Sequence, residues 1–317
     1  MVRNRDWENW TDRMATFGEA PSDLAREVTP RPGHADLVGR SKPTRPTAAT
    51  SSSAQAPARR LRAWRRPASR ASSLADLGVE VFSYVTSIGS ASFKEDDALM
   101  NAPDYKPLAI ETSEVRCPDE QATEAMKAEI DRAKDAGESL GGTFRVVVTG
   151  LVPGVGGYAS AGDRLTSRLG AALFSIPAIK GVEFGMGFEA ARKPGSPSAR
   201  PILLDRAKAE FTRASNNAGG LEGGMTTGMP LVVTAAMKPI PTLMQPLRTV
   251  NLDTLEVAQA SKERSDVCAV PACAVVAEGE VAFAIADAYM RKFGSDNMAD
   301  IKAAIKAYKQ RLNTVSR

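Results

Sequence analysis

Alternating apolar and polar residues predict three strands in the part of the chain that follows residue 74. Residues 79–89, VEVFSYVTSIG, place valines among polar residues at the spacing of a half-buried strand. Residues 142–150, GTFRVVVTG, and residues 229–239, MPLVVTAAMKP, are apolar runs of strand length, and a proline closes the second. We therefore expect a β-sheet at the centre of the fold.

Four segments carry apolar residues at the helical period. Residues 118–137 open with a proline and an acidic first turn and stop at a glycine. Residues 163–174, residues 280–293 and a last segment capped near residue 295 follow the same period. The helices and strands intermix without the regular alternation of a doubly wound sheet. The pattern thus predicts an α+β fold in which sheet faces pack on helices.

Composition bounds the class of protein. At 317 residues and 43% hydrophobic content, the chain can bury a sizeable core. It has no apolar run near the ~20 residues of a membrane span, and its polar start is not a secretory signal. Three scattered cysteines, Cys117, Cys268 and Cys273, fit neither a disulfide framework nor, with one histidine, a zinc set. We expect Cys268 and Cys273 to be buried as small hydrophobic residues, and we expect no metal and a cytoplasmic location.

The net charge of +4 comes from one segment. Residues 41–74 hold eight basic residues and no acidic one, and without them 33 basic residues face 37 acidic ones. This segment is rich in Ser, Pro, Ala and Arg and has no periodicity, which is typical of a disordered linker or basic arm. Trp64 among its arginines could stack on a nucleic-acid base. A basic arm that binds nucleic acid is therefore kept as a minor alternative.

His34, in RPGHADLVG, is the only histidine of the chain. An imidazole gains and loses a proton near neutral pH, so His34 is either an acid–base group or an ordinary polar loop residue. A second candidate is SNNAGGLEGGMTTGMP, residues 215–230, with five glycines. Its backbone N–H groups can approach a phosphate or a planar ring, or the glycines can simply make tight turns. Its glycine spacing does not fit a nucleotide-binding P-loop.

Two further candidates lie in the second half of the chain. Lys238, in AMKPIPT, ends a predicted strand before a turn that two prolines stiffen, and it can meet a phosphate or remain solvated. Asp266, in KERSDVCAVPAC, follows Arg264 and precedes an apolar, strand-like run. An aspartate at such a boundary is either a cap or a general base.

Taken together, these stretches resemble one family. RPGHADL, IPAIKGVEFG, SNNAGGLEGGMTTGMPL, AAMKPIPT and RSDVCAVPA are similar to successive signature blocks of chorismate synthases and occur in that family's order. The resemblance covers residues 2–40 and the chain from residue 74 to its end. It implies a β-α-β sandwich assembled as a homotetramer. It also implies a shikimate-pathway lyase of aromatic amino acid biosynthesis that converts 5-enolpyruvylshikimate 3-phosphate to chorismate and phosphate by 1,4-elimination.

The resemblance further implies a cofactor and site residues. The cofactor is reduced FMN, with the reductant supplied externally, for example by an NADPH-linked system. His34 corresponds to the histidine that protonates or hydrogen-bonds the reduced flavin, and Asp266 to the acid of a proton relay. The implied cofactor contacts are Pro177, Ala178, Gly223, Lys238, Pro239, Ile240, Pro241, Thr242 and Arg264.

Two departures from the family pattern qualify these expectations. The family segment that precedes VRNRDWENW, with core strands and a second catalytic histidine, is expected to be missing, so residues 1–317 are predicted to form a single, partial domain. Residues 41–73 replace a loop and a helix start that contact FMN in the family. Their RAWRRP resembles an alanine-rich helix read out of frame, which leads to the hypothesis of two compensating frameshifts. An inactive fragment of the enzyme is therefore the main alternative.

Overall fold

The computed structural model describes six stretches of the chain. They are residues 28–40, 74–93, 110–199, 201–205, 210–262 and 265–315. The basic segment at 41–73, with its frameshift hypothesis, and the predicted flavin contact Arg264 lie outside these residues. Their predicted properties stay predictions.

A five-stranded antiparallel sheet forms the centre of the described fold. The described strands are β1 (Glu80–Ile88), β2 (Ala91–Ser92), β3 (Gly142–Thr149), β4 (Ile179–Phe184), β5 (Ile202–Asp205), β6 (Glu210–Arg213), β7 (Leu221–Glu222), β8 (Met225–Thr226), β9 (Leu231–Met237), β10 (Arg248–Val250) and β11 (Val257–Gln259). The order in the sheet is β2-β1-β3-β9-β4. The remaining strands form the hairpins β5–β6, β7–β8 and β10–β11. All three strands predicted from the sequence are confirmed.

The first of these strands differs from its prediction in burial. β1 is covered on both faces, since Val85 and its neighbour Tyr84 on the opposite face are both fully buried. Tyr84 packs with Phe82, Val147 and Val232 in a small second core. The half-buried prediction is therefore wrong. Its error lies in treating the positions between the valines as polar, because Phe82 and Tyr84 carry large apolar rings to the second face.

Six α-helices are described. They are α1 (Asp36–Arg40), α2 (Glu120–Asp135), α3 (Leu165–Phe174), α4 (Gly195–Ala199), α5 (Val270–Phe293) and α6 (Met298–Val315). The patterns at 118–137, at 163–174 and after residue 295 are confirmed as α2, α3 and α6. The pattern at 280–293 is confirmed as helical, but α5 begins ten residues earlier, so the strand-like prediction for the run after Asp266 is wrong. A short apolar run does not distinguish a strand from a buried helix.

The main core lies between one face of the sheet and helix α5. Phe144 on β3, Leu231 on β9 and Ile285 on α5 are fully buried there, and α2, α3 and α6 add residues to the same cluster. The three cysteines are free: Cys273 is buried as predicted, Cys268 is only partly buried, so the prediction is wrong there, and Cys117 is also buried. None of the described helices is both long enough and apolar enough to span a membrane. Helices packed on an antiparallel sheet confirm the α+β prediction.

Strand β9 connects the two regions that the sequence singled out. The glycine-rich run enters the strand at Leu231, and Lys238 leaves it at the other end. The stretch that carries His34 docks near this second end. Its carbonyl groups bind the chain around β10 and β11, because Val28 O accepts from Leu252 N (3.0 Å) and Pro30 O from Thr249 Oγ1 (2.7 Å).

Candidate active site

A tight turn presents His34 at the start of helix α1. Gly33 has φ of 76°, a left-handed conformation that glycine adopts without cost, and His34 N donates to Arg31 O (3.1 Å) across the turn. The imidazole is 24% exposed, with Nδ1 2.6 Å from Asp36 Oδ1. The turn therefore leaves one edge of the ring open and holds the other against a carboxylate.

That carboxylate belongs to a buried network. Arg31 donates to Asp36 Oδ2 from Nε (2.9 Å) and from its backbone N (3.1 Å), and its Nη1 donates to Thr242 Oγ1 (3.1 Å). Burial by itself would raise the pKa of Asp36, but hydrogen bonds from His34 and Arg31 hold that pKa well below its usual range. Asp36 is therefore an ionised group beside His34 at any pH near neutrality.

The segment that follows β9 is bound from three sides. The Lys238 side chain donates to the carbonyl of Gly33, and its backbone N donates to Ala178 O (3.0 Å). Further along, Ile240 O accepts from Ser139 Oγ (2.6 Å). These contacts fix the course of the Lys238–Thr242 segment, in which Thr242 is buried and Pro239 and Pro241 stiffen the turn. The predicted phosphate-binding segment thus lies directly against the turn that carries His34.

Positive charge accumulates at this end of the sheet. Burial lowers the pKa of Lys238, and the nearby Lys180 ammonium lowers it further. Arg31 adds a third cation whose charge Asp36 balances. An excess of positive charge at a partly buried site favours an anionic ligand such as a phosphate.

Ala178 has an unusual backbone. It lies in the turn between α3 and β4, next to the exposed Pro177, and its φ is 72°. A residue with a Cβ pays about 1–2 kcal/mol for this left-handed conformation, and the hydrogen bond from Lys238 N helps to hold it. Such strain clusters at functional sites. This strain could not be predicted from the sequence, because alanine is not a residue associated with positive φ.

Asp266 approaches the same end of the sheet. The residue after it, Val267, accepts a hydrogen bond from Leu140 N (2.8 Å), and the chain around Leu140 and Gly141 packs against the end of β9. Asp266 is exposed, and in the described part of the chain no hydrogen bond joins its carboxylate to His34. It does not cap α5, whose N-cap is Ala269. Of the two alternatives for Asp266, the cap is therefore wrong.

Gly223 lies elsewhere. It occupies the turn of the β7–β8 hairpin, which precedes the N-terminal end of β9. The seven-residue strand β9 is roughly 20 Å long, so this turn is remote from Lys238 within one chain. A Cβ on Gly219 or Gly220 would overlap neighbouring backbone, and one on Gly224 would lie 2.6 Å from Arg164 Cγ. Only Gly223 among these has open space beside it, with Met225 Cε at 3.8 Å.

Comparison with known proteins decides the family. The sequence profile of chorismate synthase matches residues 1–290. The chain belongs to the chorismate synthase family. A chorismate synthase of Rubrobacter xylanophilus is 47% identical over 332 aligned positions, which cover 100% of this chain and 79% of the relative. A chorismate synthase of Bacillus velezensis is 46% identical, with 98% of this chain and 80% of the relative covered.

A solved structure supports the same assignment. A crystal structure of chorismate synthase superimposes with a TM-score of 0.69 at 35% identity, covering 80% of this chain and 70% of that one. The fold is therefore of the chorismate synthase type, as the resemblance implied. The chain is an enzyme by family, a lyase with chorismate synthase function. Neither the nucleic-acid-binding alternative nor the inactive-fragment alternative is favoured by these relatives.

For a chorismate synthase, the arrangement brings four of the five signature blocks together. The turn of His34, the Ala178 turn, the Lys238–Thr242 segment and the stretch after Asp266 meet at the C-terminal end of β9, whereas the block of Gly223 does not. Sequence reasoning missed Arg31, Asp36 and Lys180 as members of this site. The spacing in RPGHAD, with charged residues three before and two after the histidine, was a signal for the first two. Lys180 carried no signal, because the fold alone brings it near Lys238.

Proposed function

We propose that this chain converts 5-enolpyruvylshikimate 3-phosphate to chorismate and phosphate, with reduced FMN bound at the C-terminal end of β9. The observation that carries the proposal is the convergence there of an imidazole, a cationic segment and a strained turn. His34 is the only histidine of the chain, so this is the one place where an imidazole lies beside such positive charge. The proposed substrate and cofactor are both phosphate esters, for which such charge is suited.

The residues present fit a flavin mononucleotide. Lys238 and Lys180 offer ammonium groups to its phosphate, and the strained backbone of Ala178 gives a fixed surface beside Pro177 for a planar ring. Pro239, Ile240 and Pro241 would form a stiff wall, with Thr242 supplying a hydroxyl. When bound, the reduced flavin supplies electron density that helps the phosphate group of the substrate to leave.

The chain's own side chains then have distinct tasks. His34 lies at the edge of the site, with its ring held through Nδ1 by the ionised Asp36, and it would exchange a proton with a bound flavin there. Asp266, exposed and without a hydrogen-bond partner for its carboxylate in the described residues, is available as the acid of the proton relay that the resemblance implies. Lys238 balances the phosphate charge. These roles follow from the family resemblance and the geometry together.

The remote position of Gly223 supports assembly of several copies, and the family resemblance implies that the assembly is a homotetramer. If Gly223 contacts FMN as the family pattern implies, it must do so from another copy of the chain, because its hairpin and Lys238 lie at opposite ends of β9. The exposed apolar side chains of the β5–β6 hairpin, Ile202, Leu203, Leu204 and Phe211, are suited to an interface between copies. We propose that the site is completed by assembly.

The remaining features are proposed on the same basis. Residues 1–317 are proposed to belong to a single chorismate synthase domain, which the continuous core from Leu74 to Ile305 supports, and residues 41–73 to be an aberrant basic segment that replaces a family segment within it. An external system, such as one linked to NADPH, keeps the flavin reduced. The enzyme works in the cytoplasm, which the free cysteines fit.

An anaerobic assay tests the proposal. Purified protein is mixed with 5-enolpyruvylshikimate 3-phosphate, FMN and dithionite, and chorismate is followed by absorbance while flavin binding is followed by its spectrum. We expect chorismate formation that requires reduced FMN. Binding of FMN without chorismate would support the inactive-fragment alternative, and absence of both would refute the proposed site.

A further inference from the structure

We propose that Asp36, itself held by Arg31, fixes His34 with Nδ1–H toward the carboxylate, so that Nε2 is the nitrogen that exchanges a proton in the active site. Asp36 is thus a positioning residue, and Arg31 connects it to the Lys238–Thr242 segment. The family blocks single out the histidine but say nothing of which ring nitrogen acts.

The geometry decides the tautomer. Asp36 Oδ1 lies 2.6 Å from His34 Nδ1, and an ionised carboxylate only accepts hydrogen bonds, so Nδ1 must carry the proton. Arg31 Nη2 also lies 3.4 Å from Nδ1, but a guanidinium only donates, and a nitrogen that donates to Asp36 cannot accept at the same time. The contact of Nδ1 with Asp36 is 0.8 Å shorter than its contact with Arg31. We therefore take Nδ1 to donate to Asp36.

The support for Asp36 is itself rigid. Arg31 and Asp36 are 7% and 3% exposed, and Arg31 binds both oxygens of the carboxylate, Oδ2 at 2.9 Å and Oδ1 at 3.3 Å. A paired fork of this kind restricts rotation of the carboxylate more than a single bond does. Arg31 Nη1 then reaches Thr242 Oγ1 at 3.1 Å. Movement of the Lys238–Thr242 segment would therefore be transmitted to the orientation of the imidazole.

Because His34 is the only histidine, its tautomer can be measured without assignment. Untagged protein labelled with ¹⁵N in histidine gives a single imidazole pattern in long-range ¹H–¹⁵N spectra. At the alkaline plateau of the titration, we expect Nδ1 to be protonated in the wild type. Asp36→Asn should shift the proton to Nε2, since an amide can donate to Nδ1. Asp287→Asn is the matched control, because Asp287 is also an arginine-paired aspartate, bound to Arg168 on α3 and Arg291 on α5 and away from His34.

Activity supplies the second readout and rests on the proposed function. We expect Asp36→Asn to lower kcat by about 10²-fold, with KM changed less than about threefold, and Asp287→Asn to change neither. Arg31→Lys should lower kcat less, because it keeps the charge and loses the fork.

Three results would overturn the inference: a wild-type imidazole protonated on Nε2, an Asp36→Asn protein that keeps Nδ1–H, or a shifted tautomer with unchanged kcat. Should Asp36→Asn fail to fold, the wild-type spectrum still decides the tautomer. A wild type that shows Nδ1–H yet makes no chorismate would refute the proposed function and leave the positioning geometry standing.

Discussion

The two ends of strand β9 carry the two densest motifs of the sequence, and they differ in what their residues do. At the N-terminal end, Gly219 and Gly220 are required because neighbouring backbone occupies the space of a Cβ. At the C-terminal end, Lys238 and His34 expose polar atoms beside a cationic site. A conspicuous glycine cluster can thus be largely a packing device, whereas a single lysine and a single histidine form the chemical centre that we propose.

The strongest test of this contrast is His34→Ala. We expect kcat to fall by about 10²–10⁴-fold, the usual contribution of a positioned acid–base group. Folding should be little affected, because the imidazole is partly exposed and its loss leaves Arg31 to neutralise Asp36. Anaerobic turnover and thermal unfolding of the same samples check both points. Activity within tenfold of the wild type would contradict the assignment of chemistry to this end.

At the N-terminal end of β9, Gly220→Ala should destabilise the fold. Gly220 has φ of 77°, and a Cβ would overlap the carbonyl of Pro230, so we expect a loss of about 2–5 kcal/mol in the free energy of unfolding. Gly223→Ala is the matched control, with φ of 58° but open space, and it should cost about 1 kcal/mol. Urea unfolding measures the difference. Equal losses of stability in the two variants would show that the space beside each glycine does not determine the cost of adding a Cβ.

Asp36 gives the C-terminal end a pH-dependent contribution to stability. Its pKa is lower in the folded than in the unfolded state, so its stabilisation is present above the unfolded value of ~3.9 and is lost as pH falls below it. We expect Asp36→Asn to cost on the order of 2 kcal/mol at pH 7. The difference in free energy of unfolding between wild type and variant should become smaller as the pH falls from about 4 to about 2. Urea unfolding across this range checks it, and a constant gap would argue against an ionised Asp36.

The smallest expected effect concerns the cation at this end. Lys238→Gln should weaken FMN binding about tenfold, or ~1.4 kcal/mol, while Lys302→Gln on the exposed face of α6 should leave it unchanged. Because burial and Lys180 lower the pKa of Lys238, its charge is lost at lower pH than that of an ordinary lysine. The affinity of the wild type for FMN, measured by flavin fluorescence, should therefore begin to fall at a lower pH than it would if Lys238 had the pKa of an ordinary lysine. Equal FMN affinities for the two variants would show that Lys238 does not contribute to FMN binding.

Much of the local structure could be predicted, and the errors have physical causes. β3 and β9 followed from apolar runs, and α2 and α6 from helical periods with clear ends. The first ten residues of α5 were missed because small apolar residues such as Ala272 and Cys273 carry no period of their own. Pro271, in the first turn of α5, was the available signal for the helix start.

The candidate site was predicted in part. His34, Ala178, Lys238 and Thr242 do converge, and the family blocks named all of them. The separation of Gly223 from Lys238 was foreseeable, because the two motifs flank one predicted strand, but the gathering of the other blocks at the Lys238 end was not. Arg31 and Asp36 were within the quoted block, yet their pairing depends on burial, which the block does not reveal.

By itself, the sequence determined the family, the order of helices and strands, and the identity of the sole imidazole. These properties reside in short patterns, whose periods and turn residues act over a few positions of the chain. Only the tertiary structure decided that Arg31 meets Thr242, 211 positions away, that Ala178 is strained, and that Lys180 lies near Lys238. Such contacts depend on the register of an antiparallel sheet, which brings distant segments to one end and holds others a strand length apart.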